Sequence, residues 1–198
     1  MNTQPSTTKM QTLESNYRPL ARIDFPEYKG RQIYMHSFNT GRPNMPEGFE
    51  DYLEPVMRLV SSAGLGAIDV HVTIDEKVVS PGMAQRRPGP HVDGCFTGSA
   101  WSHGGGGGGG RWNHNCNEIP ALKRMAIIVA ASVSGCKAWA GTFFGDPQND
   151  GDCSHIVSGE GEVLPANVEY LLSPDCIHES MVFPEATQRQ FLRIAFAV

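Results

Sequence analysis

The chain predicts a mainly β protein, a sandwich or jelly roll with one or more N-terminal helices, and three observations carry that prediction. Ile68, Val70, Val72 and Ile74 alternate with Asp69, His71, Thr73 and Asp75. That period of two gives a strand one buried side and one polar side. The C-terminal half repeats short apolar, β-branched runs between Gly, Pro and Ser turns, as all-β folds do. A single run, Phe49, Leu53, Val56, Met57 and Val60, has helical spacing.

In order, residues 1–17 are polar and rich in Ser, Thr, Gln and Asn, and are expected to form a loose arm. Residues 18–198 are read as one domain, an ordinary length for a β barrel or sandwich. Arg31 to Phe38 mixes apolar and polar residues as an edge strand does. The helical run contains Pro55, so the helix either kinks there or starts near Glu54 with Pro55 in its first turn. Gly64 and Gly66 end it. Strands are expected over 77–80, 94–97, 125–133, 138–144, 163–172, 176–183 and 189–198. Trp139 and Phe143 share a face of one of them and read as core, or as lining of the pocket. No repeat of 20–50 residues is visible, which removes solenoids and propellers.

Composition narrows the function classes. The formal net charge is -5 and Lys and Arg form no block, so an extended nucleic-acid footprint is not expected. No apolar run approaches the roughly 18 residues of a membrane span. The N-terminus is too polar for a signal peptide. The five cysteines form no C-x-x-C and are read as free thiols in a reducing cytoplasm.

The stretch Arg86-Arg87-Pro88-Gly89-Pro90-His91-Val92-Asp93 puts an imidazole and a carboxylate two residues apart. In an extended chain those side chains point to one face, roughly 6.5 Å apart. They are two-thirds of the 2-His-1-carboxylate triad that binds non-haem Fe(II) and leaves positions open. The second histidine must come from a later strand, and His178 in Cys176-Ile177-His178-Glu179-Ser180 is the natural candidate. Arg189 and Arg193 follow it by 11 and 15 residues. They share one strand face, opposite Leu192, Ile194 and Phe196. Paired guanidinium groups on one face need solvent or anions, and a dicarboxylate suits their bidentate geometry. Gln85, Arg86 and Arg87 precede the dyad at the expected rim, as contacts for a polar or anionic substrate. Residues 101–116 contain seven consecutive glycines flanked by Trp101, Arg111 and Trp112. They read as a flexible loop, either a solvated hinge or a lid carrying those side chains to a substrate. A zinc cluster of His103, His114 and Cys116 would have to close across the glycines, at a cost in chain entropy.

The ordered set His91-x-Asp93, His178, Arg189 and Arg193 resembles the Fe(II)/2-oxoglutarate-dependent oxygenase superfamily, over roughly residues 91–198. The resemblance implies a double-stranded β-helix, a form of jelly roll. It implies Fe(II) held by His91, Asp93 and His178, with 2-oxoglutarate as chelating co-substrate and O₂ at the remaining position. It also implies a dioxygenase, a hydroxylase of an unidentified polar substrate. The last strand is most similar to the taurine-dioxygenase-like branch, which implies Arg189 on the distal carboxylate of 2-oxoglutarate with Arg193 nearby. Arg193-Ile194-Ala195 also resembles the Arg-x-Ser pattern of other branches, with Ala195 in place of Ser, so either arginine remains the candidate. The seven-glycine insert departs from the family pattern. Two further classes stay open: a cupin-like metal enzyme that uses no 2-oxoglutarate, and a non-catalytic jelly roll for binding or structure. The last expects His91, Asp93, His178 and Arg189 to lie apart.

Overall fold

The computed structural model describes residues 11–93, 95–97, 122–148 and 151–198. Residues 1–10 and the glycine-rich loop at 101–116, with Trp101, Arg111, Trp112 and the His103, His114 and Cys116 cluster, lie outside the described residues. The chain begins with β1 (Thr12–Ser15), β2 (Tyr17–Arg22) and β3 (Gln32–Asn39), then a 3₁₀ turn at Glu50–Tyr52 and helix α1 (Leu53–Ser62). Next come β4 (Asp69–Val79), β5 (Met83–Ala84), β6 (Cys95–Thr97), β7 (Leu122–Ala131), β8 (Cys136–Trp139) and β9 (Gly141–Phe144). Finally, β10 (Glu162–Val163), β11 (Val168–Leu172), β12 (Ile177–Ser180), β13 (Val182–Phe183) and β14 (Thr187–Ala197) complete a mainly β protein.

The largest sheet has the order β2-β11-β7-β14-β4-β3, with β6 also beside β7. The expected edge strand is there: β3 ends the sheet. At the centre β14 pairs antiparallel with β4 over Thr187–Ala195 and with β7 over Phe191–Ala197. Alternation along β14 sends Leu192, Ile194 and Phe196 to one face. There they pack with Val70, Val72 and Ile74 of β4, Ile128 of β7, and Val56, Leu59 and Val60 of α1. Burying side chains of this size stabilises by about 1.5–3 kcal/mol each. The opposite face carries Ile127, Val129, Phe191 and Ala195, covered by Ala138, Leu164 and Cys176. The sheet β10-β8-β12 belongs to this second layer.

The helix starts as its sequence allows. Pro55 is the third residue of α1, where a missing N–H costs no intrahelical bond. Past the last turn, Gly64 takes φ 72°. Its N–H donates to Ser61 O at 2.9 Å, and Leu65 N–H donates to Val60 O at 3.0 Å. These two bonds form a Schellman C-cap, for which the left-handed position favours glycine.

Several expectations change, and the strands expected over 138–144 and 176–183 are each split in two, into β8 and β9 and into β12 and β13, which pair in different sheets. The arm predicted over 1–17 is strand from residue 12. Leu13 pairs opposite Phe143 and both Leu13 and Ser15 are fully buried. Ser15 Oγ donates to Trp139 O and accepts from Ile177 N–H at 2.8 Å. One leucine and one hydrogen-bonded serine give no periodicity to read. The expected strand 163–172 is broken by the Pro165-Ala166-Asn167 turn, with Asn167 at φ 57°. The piece over 77–80 is no separate strand but the end of β4. Trp139 is core, packed with Leu13, Val92 and Ile177.

Candidate metal centre

The backbone sets the two histidines side by side. His91 N–H donates to His178 O at 2.9 Å and His178 N–H donates back to His91 O at 2.9 Å. The exchange is an isolated antiparallel bridge between the 90–93 segment and β12. Directly opposed residues present side chains to one face. The imidazole centroids stand 4.6 Å apart. The segment is held from its other edge as well. Val92 N–H donates to Gly151 O at 3.0 Å and Cys153 N–H donates to Pro90 O at 2.8 Å. Gly151 has φ 81°, and a Cβ there would run into Val92 O. Glycine at 151 therefore lets the backbone carrying His91 and Asp93 sit this close.

His91, Asp93 and His178 each offer a ligand atom, and these atoms lie within 4.8 Å of one another. His178 Nε2 is 3.8 Å from Asp93 Oδ2. A closed facial set has neighbouring donors roughly 3 Å apart, from metal–nitrogen bonds of about 2.1 Å at right angles. Binding an ion would thus draw the three side chains slightly inward. Both rings are oriented for it. His91 Nδ1 lies 2.7 Å from Gly89 O and His178 Nδ1 lies 3.0 Å from Cys176 O. A carbonyl accepts only, so Nδ1 carries the proton in each ring and Nε2 keeps a lone pair for a metal.

The electrostatics favour the ligand forms. Burial, and then repulsion from His178, push the His91 imidazole down to about 3, despite Asp93. It is neutral at physiological pH. Burial alone would raise Asp93, but Arg193, His178, His91 and Arg86 outweigh it and hold the carboxyl below its ordinary value. Arg193 Nη2 donates to Asp93 Oδ2 at 2.8 Å. A carboxylate has about four lone-pair sites, so Asp93 can accept from Arg193 and still ligate a metal.

A cavity of about 550 Å³ opens over this set, within the roughly 300–1,000 Å³ of small-molecule sites. Its polar wall is Arg86, Arg87, Glu179, Ser180 and Arg193. Its apolar wall is Ile127, Val129, Leu164, Leu172 and Phe191, with the Cys136 thiol. Cys136, Cys153 and Cys176 are free, as expected.

The two terminal-strand arginines, equivalent by strand parity, have different surroundings. Arg193 pairs with Asp93. Arg189 is fully buried, and no acidic group pairs with it among the described residues. Its Nε donates to Val133 O at 2.8 Å, Nη1 to Gln85 Oε1, and Nη2 to Cys136 Sγ at 3.4 Å. Gly135 packs against it, where a Cβ would lie 3.1 Å from Arg189 Nε. Cys136, Val129 and Leu164 border both this niche and the main cavity.

The structure thus brings His91, Asp93 and His178 together, with Arg86, Arg87 and Arg193 on the same cavity. Gln85, expected at the rim, is instead buried. Its Nε2 donates to Asp75 O at 2.5 Å while its Oε1 serves Arg189, so it braces that guanidinium and is no substrate contact. Sequence reasoning did not single out Gly151, Cys136 or Asp75. Asp75 was visible only as the polar side of an alternating strand, and Gly151 lies in an unpatterned loop. Comparisons with protein families, curated proteins and solved structures find no match for this chain. Among the described residues, no helix is long and apolar enough to cross a membrane.

Proposed function

We propose that this chain is a cytoplasmic, non-haem Fe(II)/2-oxoglutarate-dependent dioxygenase with a double-stranded β-helix fold, hydroxylating a polar small molecule. The observation that carries the reading is the His91, Asp93 and His178 set, with both Nε2 atoms free and the carboxylate ionised. Arg189 adds to it. A buried guanidinium without an acidic partner is costly unless an anion reaches it. The far carboxylate of a keto-diacid, entering past Cys136, would be that anion. A metal enzyme without such a co-substrate would leave Arg189 unmatched.

With Fe(II) bound, the metal would couple O₂ reduction and decarboxylation of 2-oxoglutarate, giving succinate and CO₂, to oxidation of a substrate C–H bond. The chain's own work is placement. His91 and His178 would hold the ion through Nε2, each ring locked by its Nδ1–H bond to a carbonyl. Arg193 fixes the rotation of the Asp93 carboxylate. Arg189 and the apolar wall of Leu164, Leu172 and Phe191 would seat the co-substrate and keep water from it. The test is succinate release from 2-oxoglutarate with Fe(II) in air. The wild-type protein should release it and Asp93→Ala should not. Equal release by both would remove the triad assignment.

A further inference from the structure

Arg86 stands on the cavity wall beside the metal set. Its guanidinium carbon lies 5.3 Å from the ring centre of Tyr34 and 5.8 Å from that of Phe191. The rings hold the group by cation–π attraction and Tyr34 takes a hydrogen bond from it, while a guanidinium has five N–H donors to offer. Its ion-pair partner among the described residues, Asp75 Oδ2, is 3.7 Å away, beyond hydrogen-bond reach. That oxygen is buried without a hydrogen bond; Lys77 Nζ also lies 3.5 Å from it, and Gln32 donates to Oδ1 at 2.7 Å. The other acids on the cavity wall have cations of their own. Asp93 has Arg193 at 2.8 Å and Glu179 has Lys137 at 4.0 Å.

Arg86 is also tied to the metal-binding strand. Its backbone N–H donates to Ser180 Oγ at 3.3 Å. Ser180 lies two residues beyond His178 on β12, on the same face and roughly 6.5 Å along the strand. An anion gripped by Arg86 would hold its nearest carbons beside the metal set. The Phe191 ring neighbours both guanidinium groups, with Arg189 5.6 Å from its centre.

We propose that the cavity has two anion stations. Arg189 receives the co-substrate, and Arg86 receives the molecule to be oxidised, which is therefore a small molecule carrying an oxyanion: carboxylate, phosphate or sulfonate. The division rests on the 2-oxoglutarate reading for Arg189; the Arg86 station stands on its own surroundings. A guanidinium clamped between rings has lost its rotamer freedom beforehand, so a bidentate oxyanion binds it at low entropic cost.

The test is anaerobic calorimetry on the protein loaded with Fe(II) and 2-oxoglutarate. The probes are butyrate, butyl phosphate and butanesulfonate, with butyramide and 1-butanol as uncharged counterparts. At least one anion should bind, and the uncharged compounds should bind at least about tenfold more weakly. Arg86→Gln should weaken the anion by about tenfold or more and leave 2-oxoglutarate affinity within about twofold. If Arg86→Gln does not fold, Arg86→Lys carries the test, since a point charge keeps the ion pair but not the bidentate edge. It should weaken the anion and spare the co-substrate. The proposal is overturned if no anion binds at millimolar concentration, if uncharged probes bind equally, or if Arg86 variants lose 2-oxoglutarate instead. A wild-type protein that binds the anion through Arg86 but takes up no 2-oxoglutarate would sink the co-substrate reading and leave the Arg86 station intact.

Discussion

The two faces of β14 do opposite jobs with alternate residues of one strand. Leu192, Ile194 and Phe196 enter a hydrocarbon layer under α1. Arg189, Phe191 and Arg193 face the cavity layer, where two buried guanidinium groups are held by specific hydrogen-bond partners, Arg189 by Val133, Gln85 and Cys136 and Arg193 by Asp93. The difference teaches where this protein places stability and where it places chemistry. On the helix side a change of volume is felt as lost packing. On the cavity side a change of charge is felt as lost orientation, with little core removed.

The comparison is broken most severely at the ligands. Asp93→Ala or His178→Ala should abolish Fe(II) binding in anaerobic calorimetry while the unfolding transition survives. Retention of wild-type affinity in either variant would remove that residue from the centre. On the other face, Leu192→Ala should cost about 2–5 kcal/mol in denaturant unfolding, because it empties a fully buried site. The folded fraction should still bind Fe(II) as the wild type does. A drop in metal affinity there would show that the two faces are not independent.

The arginines sharpen the contrast within one face. Arg193→Met should weaken Fe(II) binding by roughly 10–100-fold, since the Asp93 carboxylate loses the group that orients it. Arg189→Met should leave Fe(II) affinity near wild type and raise the 2-oxoglutarate concentration needed for turnover. Exchange of these two outcomes would exchange the assigned roles. Gly151→Ala should cost about 1–3 kcal/mol, because a Cβ at φ 81° meets Val92 O. Its metal affinity should fall too, as the 91–93 segment is displaced. Stability lost without any loss of affinity would make Gly151 a fold residue only.

The remaining effect is on pH and builds up gradually. His91 takes its proton near 6.5 when unfolded and near about 3 in the folded metal-free protein. Between those values the unfolded chain binds more protons, so stability falls as pH falls, by up to about 1.4 kcal/mol per pH unit. His91→Gln should flatten the slope above the carboxylate range. A residual slope is expected from His71, lowered by burial and then by Arg193. An unchanged slope in His91→Gln would mean that the imidazole is not buried neutral.

Much of this was legible in the chain because β periodicity is strict. The alternation in 68–75 and 189–196 gave both faces of the two central strands, and His91, Asp93 and His178 were spaced for one site. What periodicity cannot carry is the identity of a partner far away in sequence. Arg189 and Arg193 have the same parity, and partners remote in sequence distinguish them: Asp93, one hundred residues before Arg193, and Gln85, Val133 and Cys136 for Arg189. Leu13 and Ser15 were missed for a similar reason: their burial depends on β9 and Trp139, and the segment's own composition is polar. Gln85 was read by its nearness to the dyad, but its side chain turns toward β4 and Arg189.

The central claim is most directly tested by adding Fe(II) and then 2-oxoglutarate to the protein without oxygen and recording the visible spectrum. If His91, Asp93 and His178 hold ferrous iron with room for a keto-acid chelate, a weak charge-transfer absorption should grow with co-substrate and be missing in Asp93→Ala. A folded wild-type protein that binds neither component, or binds both without that absorption, would contradict the account.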